Sequence, residues 1–312
     1  MKLGSYDFLI TAQTPILLRK QPFTFVLRSG LGGVIKRLVC VLRNAACATC
    51  ILKTSCMYAM FFEPIAAPHT VSARLTEIPK PYVLSSRSFS GTDIEQGQSV
   101  EFSVKLFGKA NQYLPYLVHS VMKLGETGIG KKIDGKGRGR FQLNKVRSDG
   151  NDLLENEILK DIPCIHDLSC WQPQAERSQP VSRLTVKYIT PIRLKEQGRL
   201  TKELPFHTLF FAAMRRITAL EQVYGENTTE MNYDGLIARA QDVKTCDSTL
   251  VWKEFSHYSG RQKIAIKLGG LVGYATYEAE NLQDFLPFLQ YAERVHLGKQ
   301  TVFGLGKLEV LT

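Results

Sequence analysis

Acidic residues are scarce where basic ones gather. The chain has 312 residues with 40 Lys or Arg against 29 Asp or Glu, a formal net charge of +11, and between Met1 and Met60 its only acid is Asp7. No stretch approaches the roughly 20 unbroken apolar residues of a membrane helix, so a protein that spans a membrane in that way is not expected. The opening MKLGSYDFLITAQTPILLRK lacks an apolar block followed by a small-residue cleavage site, which argues against a signal peptide. Cysteines number 7, an odd count in a chain without an export signal, so reduced thiols or metal ligands are expected rather than a disulfide framework. With 44% hydrophobic and 22% charged residues, the composition is that of an ordinary soluble protein. A cytoplasmic chain of two domains, each able to bury its own core, is the expectation.

The surplus charge is unevenly spread. Lys2, Arg19, Lys20, Arg28, Lys36, Arg37, Arg43 and Lys53 crowd the first 60 residues, and Lys123, Lys131, Lys132, Lys136, Arg138, Arg140, Lys145 and Arg147 crowd residues 123–147. Basic side chains among glycines suit a phosphate backbone, because each contact releases condensed counterions. A solvated basic face without a ligand is the plainer reading of the same pattern.

The chain also repeats itself. Thr14-Pro15-Ile16-Leu17-Leu18-Arg19-Lys20 has a partner in Thr190-Pro191-Ile192-Arg193-Leu194-Lys195, and Leu114-Pro115-Tyr116-Leu117 has one in Leu286-Pro287-Phe288-Leu289. The two matches lie at nearly one offset, the mark of a duplication. In each half the first motif follows an alternating, strand-like stretch and precedes an amphipathic helix. Leu31, Val34, Ile35, Leu38, Val39 and Leu42 recur at helical spacing in one, and Leu209, Phe210, Ala213, Met214 and Ile217 in the other. Alternation over Ser99–Leu106, and over Gln262–Leu268 and Val272–Tyr277, adds strands. Each half reads strand, helix, strand, strand, helix, strand, the order of a ferredoxin-like unit. The expected fold is α+β: tandem ferredoxin-like (RRM-type) βαββαβ domains over residues 1–147 and 183–312, joined by a polar, proline-bearing linker at 148–182.

Two motifs carry chemistry by spacing alone. Cys40, Cys47, Cys50 and Cys56 follow a C-x6-C-x2-C-x5-C pattern. Four soft ligands with a C-x2-C knuckle predict a closed, structural zinc site stapling an insertion at about 40–64 of the first domain, although an iron–sulfur cluster uses the same four thiolates. Cys164, Cys170 and Cys246 have no such spacing. Glycine-rich loops follow the second helix of each half. In the later one Gly298, Gly304 and Gly306 allow close backbone approach to phosphate oxygens, with Lys299 beside them; a tight connection needing glycine for shape is the alternative. The earlier one, Gly125 to Lys132, imitates a nucleotide-binding loop but has Lys132 where Ser or Thr is required and follows a helix, so no nucleotide cofactor is expected.

The ending His296-Leu297-Gly298-Lys299-Gln300-Thr301-Val302-Phe303-Gly304-Leu305-Gly306 resembles the glycine-rich signature of CRISPR-associated repeat-processing endoribonucleases of the RAMP superfamily. Arg28-Ser29-Gly30-Leu31-Gly32-Gly33-Val34-Ile35-Lys36-Arg37-Leu38, the segment Cys56 to Pro64, Arg215-Arg216-Ile217 and Ser259-Gly260-Arg261-Gln262 agree with it in order. The resemblance implies binding of CRISPR repeat RNA and metal-independent cleavage that leaves a 2′,3′-cyclic phosphate. It also implies delivery of the mature guide RNA to other proteins of a CRISPR effector complex. A RAMP-type subunit that holds guide RNA without cutting it is the alternative.

In several members of that family a histidine in or after the first helix serves, yet this chain has none between Met1 and Pro68. Histidine suits both proton transfers of metal-free RNA cleavage. The candidates are His69, after the cysteine segment; His296, beside the second glycine loop; and His257 with Tyr258, before the Gly260-Arg261 turn. His119 and His207 read as packing residues, His166 as solvated. For RNA binding the candidates are Lys131, Lys132, Arg138, Arg140, Arg261, Gln262, Gly298, Lys299, Gly304 and Gly306.

Overall fold

The structure is a computed structural model that describes residues 1–43, 45–64, 77–87, 89, 91–133, 135, 137–160, 165–167, 180–196, 198–226, 233–259 and 264–312. It divides into two compact units: Lys2–His166 with His257–Ala265, and Met1 with Asp167–Ser256 and Ile266–Thr312. We refer to them as the N-terminal and C-terminal units.

In the N-terminal unit, strand β1 (Lys2–Ala12) leads to helix α1 (Phe23–Val39), short helix α2 (Met57–Phe62), strands β2 (Tyr82–Ser86) and β3 (Ser99–Phe107), helix α3 (Leu114–Thr127), the small hairpin β4 (Ile129–Ile133) and β5 (Gly137–Gly139), and strand β6 (Phe141–Ser148). The main strands form an antiparallel sheet in the order β2-β3-β1-β6. Alternation along β1 explains which face is covered: Tyr6, Phe8 and Ile10 are buried, whereas Asp7, Leu9 and Thr11 are only half-buried. Phe8 and Phe102 are cross-strand partners, and their rings stack at 5.0 Å. Helix α1 buries Leu27, Leu31, Val34 and Ile35 at helical spacing and ends at Val39, with Lys36 and Arg37 in its last turn beside the negative end of the helix dipole. Leu42, expected on that helix, lies past its end, and Leu38 and Leu42 are 44% and 40% exposed. After β6 the chain turns back: Asn151 and Asp152 pair with it and Leu153 is buried.

The C-terminal unit comprises β7 (Arg183–Ile192), α4 (Phe206–Tyr224), α5 (Asp234–Asp242), β8 (Lys244–Ser248), β9 (Val251–Lys253) and, after the hairpin strands β10 (Ser256–Ser259) and β11 (Ile264–Lys267), which group with the N-terminal unit over 257–265, β12 (Gly270–Glu278), α6 (Leu286–Val295) and β13 (Leu308–Leu311). Its sheet runs β8-β12-β7-β13, again antiparallel, with β9 also pairing with β12. Leu209, Phe210, Ala213, Met214 and Ile217 are all buried on α4. The first four pack with Leu184, Val186 and Tyr188 of the sheet and Phe285 and Leu289 beside and on α6 into one core. Within it Phe206 and Phe210 each meet Phe285 edge to face. Each unit is therefore a mixed α/β layer in which helices cover one face of an antiparallel sheet. Among the described residues, no helix is long and apolar enough to cross a membrane.

Candidate functional site

The repeated Thr-Pro-Ile motif has a mechanical role. In the N-terminal unit Thr14 Oγ1 accepts the amide of Arg140 at 2.8 Å, and the Leu17 carbonyl accepts the amide of Lys131 at 2.9 Å. In the C-terminal unit Thr190 Oγ1 accepts the amide of Lys307 at 2.8 Å, and the Arg193 carbonyl accepts the amide of Lys299 at 3.1 Å. A hydroxyl thus holds the far end of each glycine loop, and a carbonyl three residues on holds its near end. In both loops a glycine at positive φ precedes the clamped lysine, Gly130 at 82° and Gly298 at 88°. A Cβ on either would meet the carbonyl oxygen of Leu17 or of Arg193 at 2.7 Å, so both positions require glycine.

The first loop is solvated and basic. Lys131, Lys132, Arg138 and Arg140 are all exposed on the β4–β5 hairpin and its exit, and no ion pair involves any of them among the described residues. Lys132 and Arg138 stand directly opposite each other in the ladder. Like charges so placed repel, and an anion lying across the hairpin relieves that repulsion.

The second loop is packed. Gly304, Leu305 and Gly306 are buried, as are Thr301, Val302 and Phe303, leaving Lys299 and Gln300 exposed. Thr190 Oγ1 donates to the Gly304 carbonyl at 2.8 Å, and a Cβ on Gly306 would lie 1.8 Å from the Leu297 oxygen. Arg216 reaches in from α4 and donates to the Val295 carbonyl (3.2 Å) and Thr301 Oγ1 (3.3 Å). Burial lowers its pKa to about 10, so the guanidinium stays charged at neutral pH. His296 is 1% exposed, with Nδ1 3.2 Å from the Leu305 carbonyl. A carbonyl only accepts, so this nitrogen carries the proton and the imidazole helps close the loop.

His257 sits in a different setting. It belongs to the N-terminal unit and packs edge-on against Phe25 of α1, ring centroids 5.8 Å apart. Nδ1 lies 3.4 Å from Gln21 Oε1 and Nε2 lies 3.1 Å from Ser29 Oγ. Gln21 Oε1 accepts from Nδ1–H, which makes Nε2 the acceptor of the Ser29 hydroxyl proton. Burial, and secondarily the nearby Arg28, lower the His257 pKa below its ordinary value, so the ring is neutral at pH 7. Arg28 lies 5.2 Å over the Phe62 ring. Gln21 and Ser29 were not singled out by sequence; Ser29 stood within a glycine-rich block, and nothing local linked either to a residue more than 200 positions away.

Other candidates are dispersed. His69, Arg261 and Gln262 lie outside the described residues, and of Tyr258 only the backbone, in β10, is described. His119 is exposed on α3 rather than packed, and His207 is half-buried, 3.2 Å from Glu196 Oε1. Cys40, Cys47, Cys50 and Cys56 are half-buried free thiols. The amide of Cys50 donates to the Cys47 carbonyl at 3.3 Å, forming the knuckle turn. No group of three or more His, Cys, Asp or Glu side chains is gathered to hold an ion among the described residues.

Comparison with known proteins agrees with these landmarks. A family model described as an N-terminal domain matches residues 1–164, and that of the CRISPR-associated endoribonuclease Cas6 matches residues 186–308. The chain belongs to the family of that N-terminal domain, which covers more than half of it, and the Cas6 likeness lies in its second part. An uncharacterized protein of Archaeoglobus fulgidus is 21% identical over 283 residues, spanning 89% of this chain and 88% of its own. A Cas6 product complex matches over 100% of both chains with a TM-score of 0.57 at 12% identity. A partial Cas6-RT-Cas1–Cas2 complex matches 99% of this Cas6-like chain and 46% of its own, with a TM-score of 0.55 at 13% identity. At such identities the structural likeness is one of fold, and it extends through both units.

Proposed function

We propose that this Cas6-like protein binds the repeat RNA of a CRISPR precursor transcript and cuts it without a metal, leaving a 2′,3′-cyclic phosphate on the mature guide RNA. The observation that carries this is the neutral imidazole of His257 against Ser29 of α1, since the family resemblance implies a histidine in or after the first helix and this chain has none before His69. His257 Nε2 takes the 2′-hydroxyl proton, directly or through the Ser29 hydroxyl. The 2′ oxygen then attacks phosphorus, and the P–O5′ bond breaks. The leaving 5′ oxygen needs a proton donor, for which Tyr258 and His69 are the candidates. Arg28 adds positive charge where the phosphorane develops.

The basic first loop, through Lys131, Lys132, Arg138 and Arg140, supplies backbone contacts. Arg261 and Gln262 add a phosphate fork and an amide for a base edge. Lys299 is the contact contributed by the second loop. Its glycines, Gly298, Gly304 and Gly306, act by shaping it. The matching strand orders of the two sheets support a tandem ferredoxin-like architecture, with residues 183–312 as the second functional domain. Work on a transcript is consistent with a cytoplasmic protein, and a solved relative in a complex with Cas1 and Cas2 supports partners among CRISPR proteins. The Cys47–Cys50 turn supports one pair of ligands for structural zinc, on which the remaining thiolates would have to close when the ion binds.

Incubating labelled repeat RNA with the protein in EDTA tests the reading: a cut product supports it, and a shifted band without product overturns cleavage. That second outcome is the non-cleaving guide-RNA subunit, favoured by one observation, the 6% exposure of His257. Elemental analysis tests the metal, with about one zinc per chain expected.

A further inference from the structure

Resting on that RNA-binding reading, we infer a second phosphate-binding element in the N-terminal unit: the turn Arg19-Lys20, held rigid by Asp93 and Gly91. Both residues adopt left-handed backbone conformations, with φ of 49° and 64°, which non-glycine side chains avoid. A turn of this kind persists only where its surroundings force it. Three contacts do so here. Asp93 Oδ1 accepts the amides of Leu18 (2.5 Å) and Arg19 (3.0 Å), and the Lys20 amide donates to the Gly91 carbonyl at 3.1 Å. A Cβ on Gly91 would lie 2.0 Å from the Lys20 carbonyl carbon, so the approach is open to glycine alone.

Unstrained residues for such a turn are glycine or asparagine, yet the chain places two cations there. Both side chains are exposed, and neither has an ion-pair partner among the described residues. The location fits a backbone grip. Leu17 bridges to Lys131 of the basic hairpin, and Gln21, one residue after the turn, accepts from His257. The turn therefore joins the hairpin's charge to the imidazole, and its occupant is the sugar-phosphate backbone of the bound RNA rather than a base.

Arg19→Gly with Lys20→Gly gives effects of opposite sign. Glycine relieves the backbone, so the midpoint of thermal unfolding should rise, while repeat-RNA affinity falls and the slope of log affinity against log salt becomes shallower by about 1 per residue removed. Asp93→Ala should also weaken RNA binding, although deleting an acid raises net charge and by field alone would strengthen it. Asp93→Asn, which keeps an acceptor oxygen, should restore most of the affinity. Unchanged affinity and slope in the double variant, or tighter binding by Asp93→Ala, would overturn the inference. The hairpin separates this outcome from failure of the underlying reading: if reversing Lys131, Lys132, Arg138 and Arg140 also leaves the salt slope unchanged, RNA binding by this unit is wrong altogether.

Discussion

Two loops with one anchoring scheme have opposite surroundings. Both follow the last helix of their unit, α3 or α6, and both are clamped by a Thr-Pro-Ile segment through a hydroxyl and a carbonyl. The first carries Lys131, Lys132, Arg138 and Arg140 in solvent. The second buries Val302, Phe303, Leu305 and Gly306 and closes over His296 and Arg216. Conserved mechanics with divergent faces show what duplication keeps: the clamp holds the loop to the sheet, and the side chains beyond it are free to take either role. A glycine-rich signature is then evidence of shape first and of ligand contact only where its neighbours reach solvent.

The two histidines extend that contrast and give the largest expected effect. His257→Ala should lower the saturated single-turnover rate by about 10²–10⁴ and leave RNA affinity nearly unchanged. His296→Ala should instead lower the thermal midpoint, with the saturated rate of the remaining folded enzyme close to that of the parent. Equal rate losses in both would erase the distinction between a proton-transfer imidazole and a packing one.

Charge reversal at Lys131, Lys132, Arg138 and Arg140 should flatten the salt dependence of RNA affinity by about 3–4 in slope, whereas Lys299→Glu should change it by about 1. A larger effect from the single second-loop residue would invert the comparison. Alanine at Gly306 and at Gly130 sharpens it through stability. Gly306 at φ 74° faces an oxygen 1.8 Å from the new Cβ, and Gly130 at φ 82° faces one at 2.7 Å. Both should destabilise by more than about 1 kcal/mol, the buried Gly306 more, as read by denaturant midpoint.

The smallest effect is in pH. His257 titrates below its ordinary 6.5, because burial and then Arg28 disfavour the cation. Between that lower value and about 6.5 the unfolded chain binds more protons, so stability rises with pH across this window and flattens below it. The acid limb of the cleavage rate should accordingly lie below pH 6.5, and His257→Ala should remove this part of the stability slope.

Much of this was legible in residues that act locally. The duplicated Thr-Pro-Ile segments mark equivalent positions in the two halves, though not their clamping role, and the apolar spacing of Leu209 to Ile217 marks the buried face of α4. Burial of the second loop was also signalled, by Val302, Phe303 and Leu305 between its glycines, but basic neighbours drew the reading toward a surface. The His257–Ser29 contact joins residues 228 apart and the Asp93–Leu18 contact joins residues 75 apart. Their pairing depends on tertiary packing, which no short-range period encodes. Position α1 looked vacant because proximity in sequence stood in for proximity in space.

The two-point clamp also separates retargeting from folding. At the tip of the first loop, Gly135 and Gly137 have nothing within 4 Å of where a Cβ would stand. Insertions and substitutions there leave Thr14, Leu17 and the sheet untouched. The hairpin between Lys131 and Arg140 is thus an exchangeable cassette, whose exposed residues can be rewritten while the core stays still.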